Sequence, residues 1–262
     1  MSLHPGVRNL VLLLVATTAY GHLIRPLGPY VGSEAFYYLL NKGLLAVLLL
    51  VFVATTGQLR AAGLAGGMNL RTLPDYWPMF LLMALILAGP VSPPETGMLL
   101  VLAGIAVSVG FAEELMFRGL VFHWFRDQSV RRQILISAFA FGGAHLGGLL
   151  VTDAVAVIVA QSIFASGVGA IIASARARDR SIWLPVIIHA GFDFAAFAAA
   201  GSQRAAAQVR PRWTSPARPI RRLSWRCRVW ATRSRPSRLV CSRWPTSSSS
   251  TRPIAPARTE RR

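Results

Sequence analysis

Charge is scarce in this chain. Only 15% of its 262 residues are Asp, Glu, Lys or Arg, against 53% apolar residues and a mean hydropathy of +0.48. A soluble enzyme built from such residues would have too little polar surface to show water, which excludes that class. Cysteine is nearly absent. Cys227 and Cys241 both lie near the C-terminal end, so neither a disulfide framework nor a cysteine zinc site holds the main body. Lysine occurs once, as Lys42, and acid is missing from the last 62 residues except for Glu260. Residues 1–200 carry 12 Lys+Arg and 9 Asp+Glu, a net of +3, whereas residues 201–262 carry 16 Arg and that single acid, a net of +15. The overall +18 therefore belongs to the tail, and the chain as a whole is not a nucleic-acid binder.

What the sequence does have is long apolar runs. Seven stretches approach the ~20 residues that a helix needs to cross a bilayer. They cover residues 9–24, 35–56, 77–92, 98–125, 133–150, 154–175 and 182–200. The expected fold is all-α, a polytopic membrane protein of about seven transmembrane helices. The first run lacks an A-x-A cleavage signal and six more runs follow it, so it reads as a retained helix rather than a leader. With alternating sides, Arg8, Arg60, Arg71, Arg126, Arg131, Arg132, Arg176, Arg178 and Arg180 fall on one face and only Arg25 on the other. Nine against one places the N-terminus in the cytoplasm of a multi-pass protein of the cell inner (plasma) membrane. Trp77, Trp124 and Trp183 each fall at an expected helix end, where an interfacial aromatic belt belongs. Lys42, inside the second run, reads as a residue that snorkels toward an interface or marks a shorter span.

The domain reading is a membrane body over 1–200, with a motif-bearing core at 98–200, and a basic, low-complexity, disordered tail over 201–262. That tail shows neither helical nor strand period. Emerging on the face opposite the other arginines, it also conflicts with the charge rule. It is read as an out-of-frame translation that has replaced an eighth helix, with a true basic tail on anionic lipid as the alternative.

Ionisable residues within a span are a functional-site hypothesis by default, since each costs about 2.5–3.5 kcal/mol at the bilayer centre. The fourth run contains Glu113, Glu114 and Arg118. Glu114 and Arg118 stand at i and i+4, acid first, so an ion pair on one helix face is expected. Glu113 points ~100° away and finds no partner on its own helix. One satisfied carboxylate beside one spare is what a buried general base requires. The fifth run contains Phe141-Gly142-Gly143-Ala144-His145, and the seventh contains His189 and Asp193, again at i and i+4. Taken singly, each histidine is as well explained by an interhelical hydrogen bond, and the pairs by helix-to-helix glue.

Depth turns the set into a site. Glu113, His145 and Asp193 each lie 13 residues from the cytoplasmic arginine bounding their helix, and His189 lies 9. At ~1.5 Å per residue that places them about 20 Å and about 14 Å in. Ser108 and Ser137 lie on other turns, which leaves no nucleophile at that level. A spare glutamate beside histidines can activate water, and the remaining polar groups can stabilise an oxyanion. Zinc held by two His and a Glu is an alternative with the same residues. A proton-coupled transporter would use such carboxylates too, but no internal repeat is present. His4 sits in the N-terminal arm, His22 near the outer end of the first run and His123 at the cytoplasmic edge of the fourth, and Ser162, Ser166 and Gly169 in the sixth run read as close-packing residues.

Glu113-Glu114-x3-Arg118, Phe141-x3-His145 and His189-x3-Asp193 resemble, in order and spacing, the three motifs of the CAAX protease and bacteriocin-processing (CPBP, Abi-like) family of intramembrane glutamic endopeptidases. The resemblance covers residues 75–200. It implies an all-helical membrane fold around a polar cavity, and peptide hydrolysis with no metal or other cofactor. Its partners would be the lipid bilayer and a peptide or membrane-protein substrate, with no nucleic acid. It further implies Glu113 as general base with His145, Glu114 as a buttress through Arg118, and His189 with residue 193 as the oxyanion hole, Phe141 packing beneath. One departure stands out: the family most often has Asn where this chain has Asp193. A non-catalytic scaffold or bacteriocin self-immunity protein on the same fold is the competing reading.

Overall fold

A computed structural model describes residues 3–89, 96–208, 226–230 and 238–242. The chain divides into two compact units, Met1–Ser215 and Pro216–Arg262. Within the second, β1 (Arg226–Trp230) pairs antiparallel with β2 (Arg238–Ser242), setting Cys227 opposite Cys241. This short ribbon departs from the absence of strand period read in the tail. The rest of residues 209–262 lies outside the described residues, and with it most of the stretch read as out of frame. The last helix itself runs on to Gln208, past the break in composition.

The regular elements described in the first unit are all helical. The helices are α1 (Pro5–Ile24), α2 (Glu34–Thr55), α3 (Trp77–Ala88), α4 (Thr96–Glu114), α5 (Val121–Trp124), α6 (Val130–Ala144), α7 (Val155–Asp179) and α8 (Trp183–Gln208). Short 3₁₀ or π turns extend several of them, so that six continuous spans are long and apolar enough to cross a membrane. They are 5–30, 34–55, 70–88, 96–124, 130–150 and 155–179, and Trp183–Ala199 forms a seventh, shorter apolar helix. This is a multi-pass helical membrane protein. The third span begins at Leu70 rather than at Trp77, because a 3₁₀ stretch through Pro74 and Asp75 precedes the apolar helix. The apolar pattern begins only after it.

Local chemistry explains the ends. Ser33 accepts a hydrogen bond from the Phe36 amide and Ser129 from that of Arg132, so each caps the helix that follows. Pro5 and Pro78 occupy first turns, where the missing N–H costs nothing. Trp77 opens α3, Trp124 closes α5 and Trp183 opens α8.

One end of the bundle gathers the arginine-rich connections. His4 donates from Nε2 to Asp127 at 2.9 Å, with Nδ1 accepting from the Gly6 amide. This bond holds the exposed Asp127 carboxyl below its ordinary range. Trp124 Nε1 donates to Gln58 Oε1 at 3.3 Å, and Trp183 Nε1 to the Leu64 carbonyl at 3.0 Å. The N-terminus, the 56–69 loop, the 125–129 turn and the start of α8 therefore share one end, as alternating spans require. A cavity of about 550 Å³ opens there, lined by His4, Asn9, Gln58, Trp124, Arg126 and others, and none of the motif residues lines it.

Two glycines bring the motif helices close. A Cβ on Gly110 would stand 3.0 Å from the Ala190 amide nitrogen and 3.1 Å from the Val186 carbonyl, so α4 meets α8 backbone to backbone. On Gly142 it would lie 2.6 Å from the Ser162 carbonyl and collide with Ser166 Oγ. The Ser162 hydroxyl donates to the Gly142 carbonyl at 2.7 Å across the same α6–α7 contact.

Candidate active site

The fourth span is not a plain helix where its charges sit. After Glu114 the backbone widens into a π-helical stretch, Leu115–Leu120, before α5 resumes the α-helical form. The Val121 amide consequently bonds the Met116 carbonyl, five residues back. The Ser137 hydroxyl on α6 donates to the Phe117 carbonyl at 2.8 Å and is itself fully buried. Such widened turns are uncommon and gather at functional sites. No glycine or proline pattern in the sequence announces this one.

Within that turn Arg118 is fully buried, as is Glu114. Arg118 Nη1 donates to Glu114 Oε1 at 3.1 Å and Nη2 to the Gly169 carbonyl of α7 at 3.2 Å. Its guanidinium also lies over the Phe141 ring, 4.5 Å from the centroid. His189 of α8 stands 2.7 Å from the same Glu114 oxygen through Nδ1. A carboxylate bonded to arginine can only accept, so Nδ1 carries the proton and donates. That bond turns Nε2 outward. It faces Glu113 Oε2 at 3.8 Å and Asp193 Oδ2 at 3.7 Å.

Glu113 is the carboxylate on the other side of this group. Its nearest cation is Lys42 of α2, with Nζ 3.7 Å from Oε1. The separations to Lys42 and His189 exceed hydrogen-bond length, so both are ion-pair contacts that leave the carboxylate lone pairs open. The sequence placed Lys42 at an interface or at the end of a short span. The structure instead aims it at Glu113, where it also lies 5.5 Å over the Tyr38 ring. Lys42 is the site residue that motif reasoning missed.

His145 sits at the junction where α6 tightens into a 3₁₀ turn. Its Nδ1 donates to the Phe141 carbonyl at 2.9 Å, which leaves Nε2 as the open nitrogen. The Phe141 ring meets His145 edge-on at 5.1 Å and His189 edge-on at 5.7 Å, so one aromatic floor supports both imidazoles. Among the described residues no hydrogen bond or ion pair joins His145 to Glu113. The structure thus brings Glu113, Glu114, Arg118, His189 and Asp193 into one charged cluster, and attaches His145 to it through Phe141. Among the described residues no three His, Cys, Asp or Glu side chains are grouped to hold a metal ion.

Fold and cluster define a class: a multi-span helical membrane protein with a carboxylate–histidine–arginine group buried among its spans. Residues 95–195 match the family model described as type II CAAX prenyl endopeptidase Rce1-like, so this part of the chain is similar to that peptidase family. The matched segment runs from the start of α4 into α8 and contains all the motif residues. No curated protein and no solved structure matches the chain.

Proposed function

We propose that the protein is an intramembrane endopeptidase in which Glu113 activates a water molecule against a peptide bond. The observation that carries this reading is the division of labour between adjacent carboxylates. Glu114 is committed to Arg118 and His189 through one oxygen, while Glu113 keeps its lone pairs open beside the Nε2 of His189. A base needs the second condition and a fixed scaffold needs the first.

In the proposed reaction Glu113 takes a proton from water as the oxygen attacks the carbonyl carbon, with His145 Nε2 accepting from the same water. The new C–O bond converts the carbonyl into an oxyanion. His189, with both ring nitrogens protonated, donates Nδ1–H to Glu114 and Nε2–H to that oxygen. Asp193 adds a second donor only in its protonated form. When the C–N bond breaks, Glu113 returns its proton to the leaving amine. Glu114 and Arg118 hold the imidazole rather than touch substrate.

The substrate proposed is a CAAX-like tail or another peptide or membrane-protein segment. It would enter from the cytoplasmic face, assigned by the nine-to-one distribution of loop arginines. Comparative terminomics tests the whole reading in membranes of cells carrying the wild-type chain or Glu113→Ala, with a chain truncated after residue 200 as a control for the tail. New peptide termini that depend on Glu113 are the expected result and would name the substrate. Identical termini from two stably inserted proteins would overturn it in favour of a non-catalytic scaffold.

A further inference from the structure

The motif helices by themselves leave the buried cluster out of balance. Glu113, Glu114 and Asp193 bring three acidic groups to one place, and the motifs offer two cations, Arg118 and a protonated His189. Charges removed from water persist only when they are paired. The third cation comes from α2, which lies outside the matched segment. Lys42 Nζ stands 3.7 Å from Glu113, and both side chains are mostly buried, at 22% and 16% exposure. Lys42 is also the single lysine in a chain that otherwise uses 27 arginines. An ammonium is a compact point charge, whereas a guanidinium is a broad planar fork.

We infer that Lys42 is a positioning residue for Glu113, one whose ammonium completes the charge balance of the site and holds the Glu113 carboxylate turned toward His189. The groups that surround this pair are Tyr38 on α2, Tyr20 on α1, Glu114 and Arg118 on the fourth span, and His189 and Asp193 on α8. Of these, Arg118 is already spent on Glu114 and the Gly169 carbonyl. His189 divides its contacts among Glu114, Glu113 and Asp193, whereas the ion pair of Lys42 is with Glu113 alone. The packing of α2 against α4 is then part of the catalytic apparatus, although α2 carries no motif.

This inference rests on Glu113 as the base, and its test separates the two. The full chain in lipid nanodiscs, with carbon-13 glutamate, gives the protonation of Glu113 by infrared titration, the band being assigned by its loss in Glu113→Gln. In Lys42→Met the Glu113 midpoint should move to higher pH by about one unit or more, a tenfold or larger rise in proton affinity, as removal of a cation at this distance requires. Lys42→Arg should stay near the wild-type midpoint. An unmoved midpoint in a folded Lys42→Met protein, or the same shift in Lys42→Arg, overturns the inference. If Lys42→Met fails to insert, Lys42→Met/Asp193→Asn, which removes one charge of each sign, should restore insertion. Failure of the double variant overturns the inference too. Cleavage of a farnesylated CAAX peptide is followed in parallel. A shifted midpoint together with full cleavage by Glu113→Gln would leave the Lys42 pairing standing and sink the peptidase reading.

Discussion

His189 Nδ1 lies 2.7 Å from Glu114 Oε1, the same oxygen that receives Arg118 Nη1 at 3.1 Å. One buried atom therefore fixes both the orientation of the imidazole and the place of the guanidinium. Removing it strands two groups at once. Glu114→Ala should destabilise the protein by roughly 3–5 kcal/mol, the usual cost of breaking a buried ion pair from one side. The measurement is thermal unfolding in detergent, and a change under 1 kcal/mol would mean that Arg118 finds a substitute.

Glu113 is predicted to behave differently from its neighbour. It accepts no hydrogen bond among the described residues and its ion pairs are longer and partly exposed, so Glu113→Gln should still insert, with a smaller loss of stability than Glu114→Ala. Peptide cleavage should fall by at least about a hundredfold, since the general base is gone. A stable Glu113→Gln protein with unchanged cellular function would favour the scaffold or immunity reading.

Hydrolysis driven by glutamate should survive strong chelation. Incubation with a zinc chelator followed by dialysis is expected to leave the cleavage rate unchanged. Loss of rate, restored by added zinc, would assign His145, His189 and a glutamate to a metal instead.

The α6–α7 contact should tolerate no side chain at Gly142. A Cβ there meets the Ser162 carbonyl and the Ser166 hydroxyl, and the backbone partner cannot rotate away. Gly142→Ala is expected to cost about 1–3 kcal/mol, as overpacking does. Gly143→Ala, next in sequence but with open space around it, serves as the control.

The N-terminal clip has a defined pH dependence. His4 donates from Nε2 to Asp127, whose carboxyl is held below its ordinary range by that bond. A lowered carboxyl contributes stability that is present above its unfolded value and lost as pH falls through the folded one. Hydrogen exchange at the first turn of α1 should therefore accelerate on acidification into that range. In Asp127→Asn it should be less sensitive to pH there.

Much of this was legible in the sequence because membranes leave few choices. An apolar run of span length must form a helix that satisfies its own backbone. The contact of Glu114 with Arg118 follows from an i, i+4 spacing on one helix. Equal depth put Glu113, His145 and Asp193 at one level on three spans; Glu113 and Asp193 meet around His189, while His145 reaches the group only through Phe141.

Contacts between helices depend on rotation about each axis, which hydropathy does not report for a span that is apolar all round. Lys42 was therefore misplaced, and the bond between Glu114 and His189 went unseen. The π-helical turn was equally silent, for Leu115–Leu120 contains nothing that distinguishes it from an ordinary helix except Gly119. The ribbon of β1 and β2 was missed because five-residue strands in an arginine-rich stretch carry too short a pattern to read.

The bond between Glu114 and His189 spans 75 residues of chain. During synthesis the fourth span thus leaves the ribosome long before the helix that completes its hydrogen bonding. Until α8 arrives, Glu114 has its own helix's Arg118 as a companion, and Glu113 has Lys42, which was made earlier. The bundle closes around its charges only when its last motif is translated. A chain interrupted before His189 leaves a half-compensated polar span in the lipid, a mark by which membrane quality control can sort incomplete copies from finished ones.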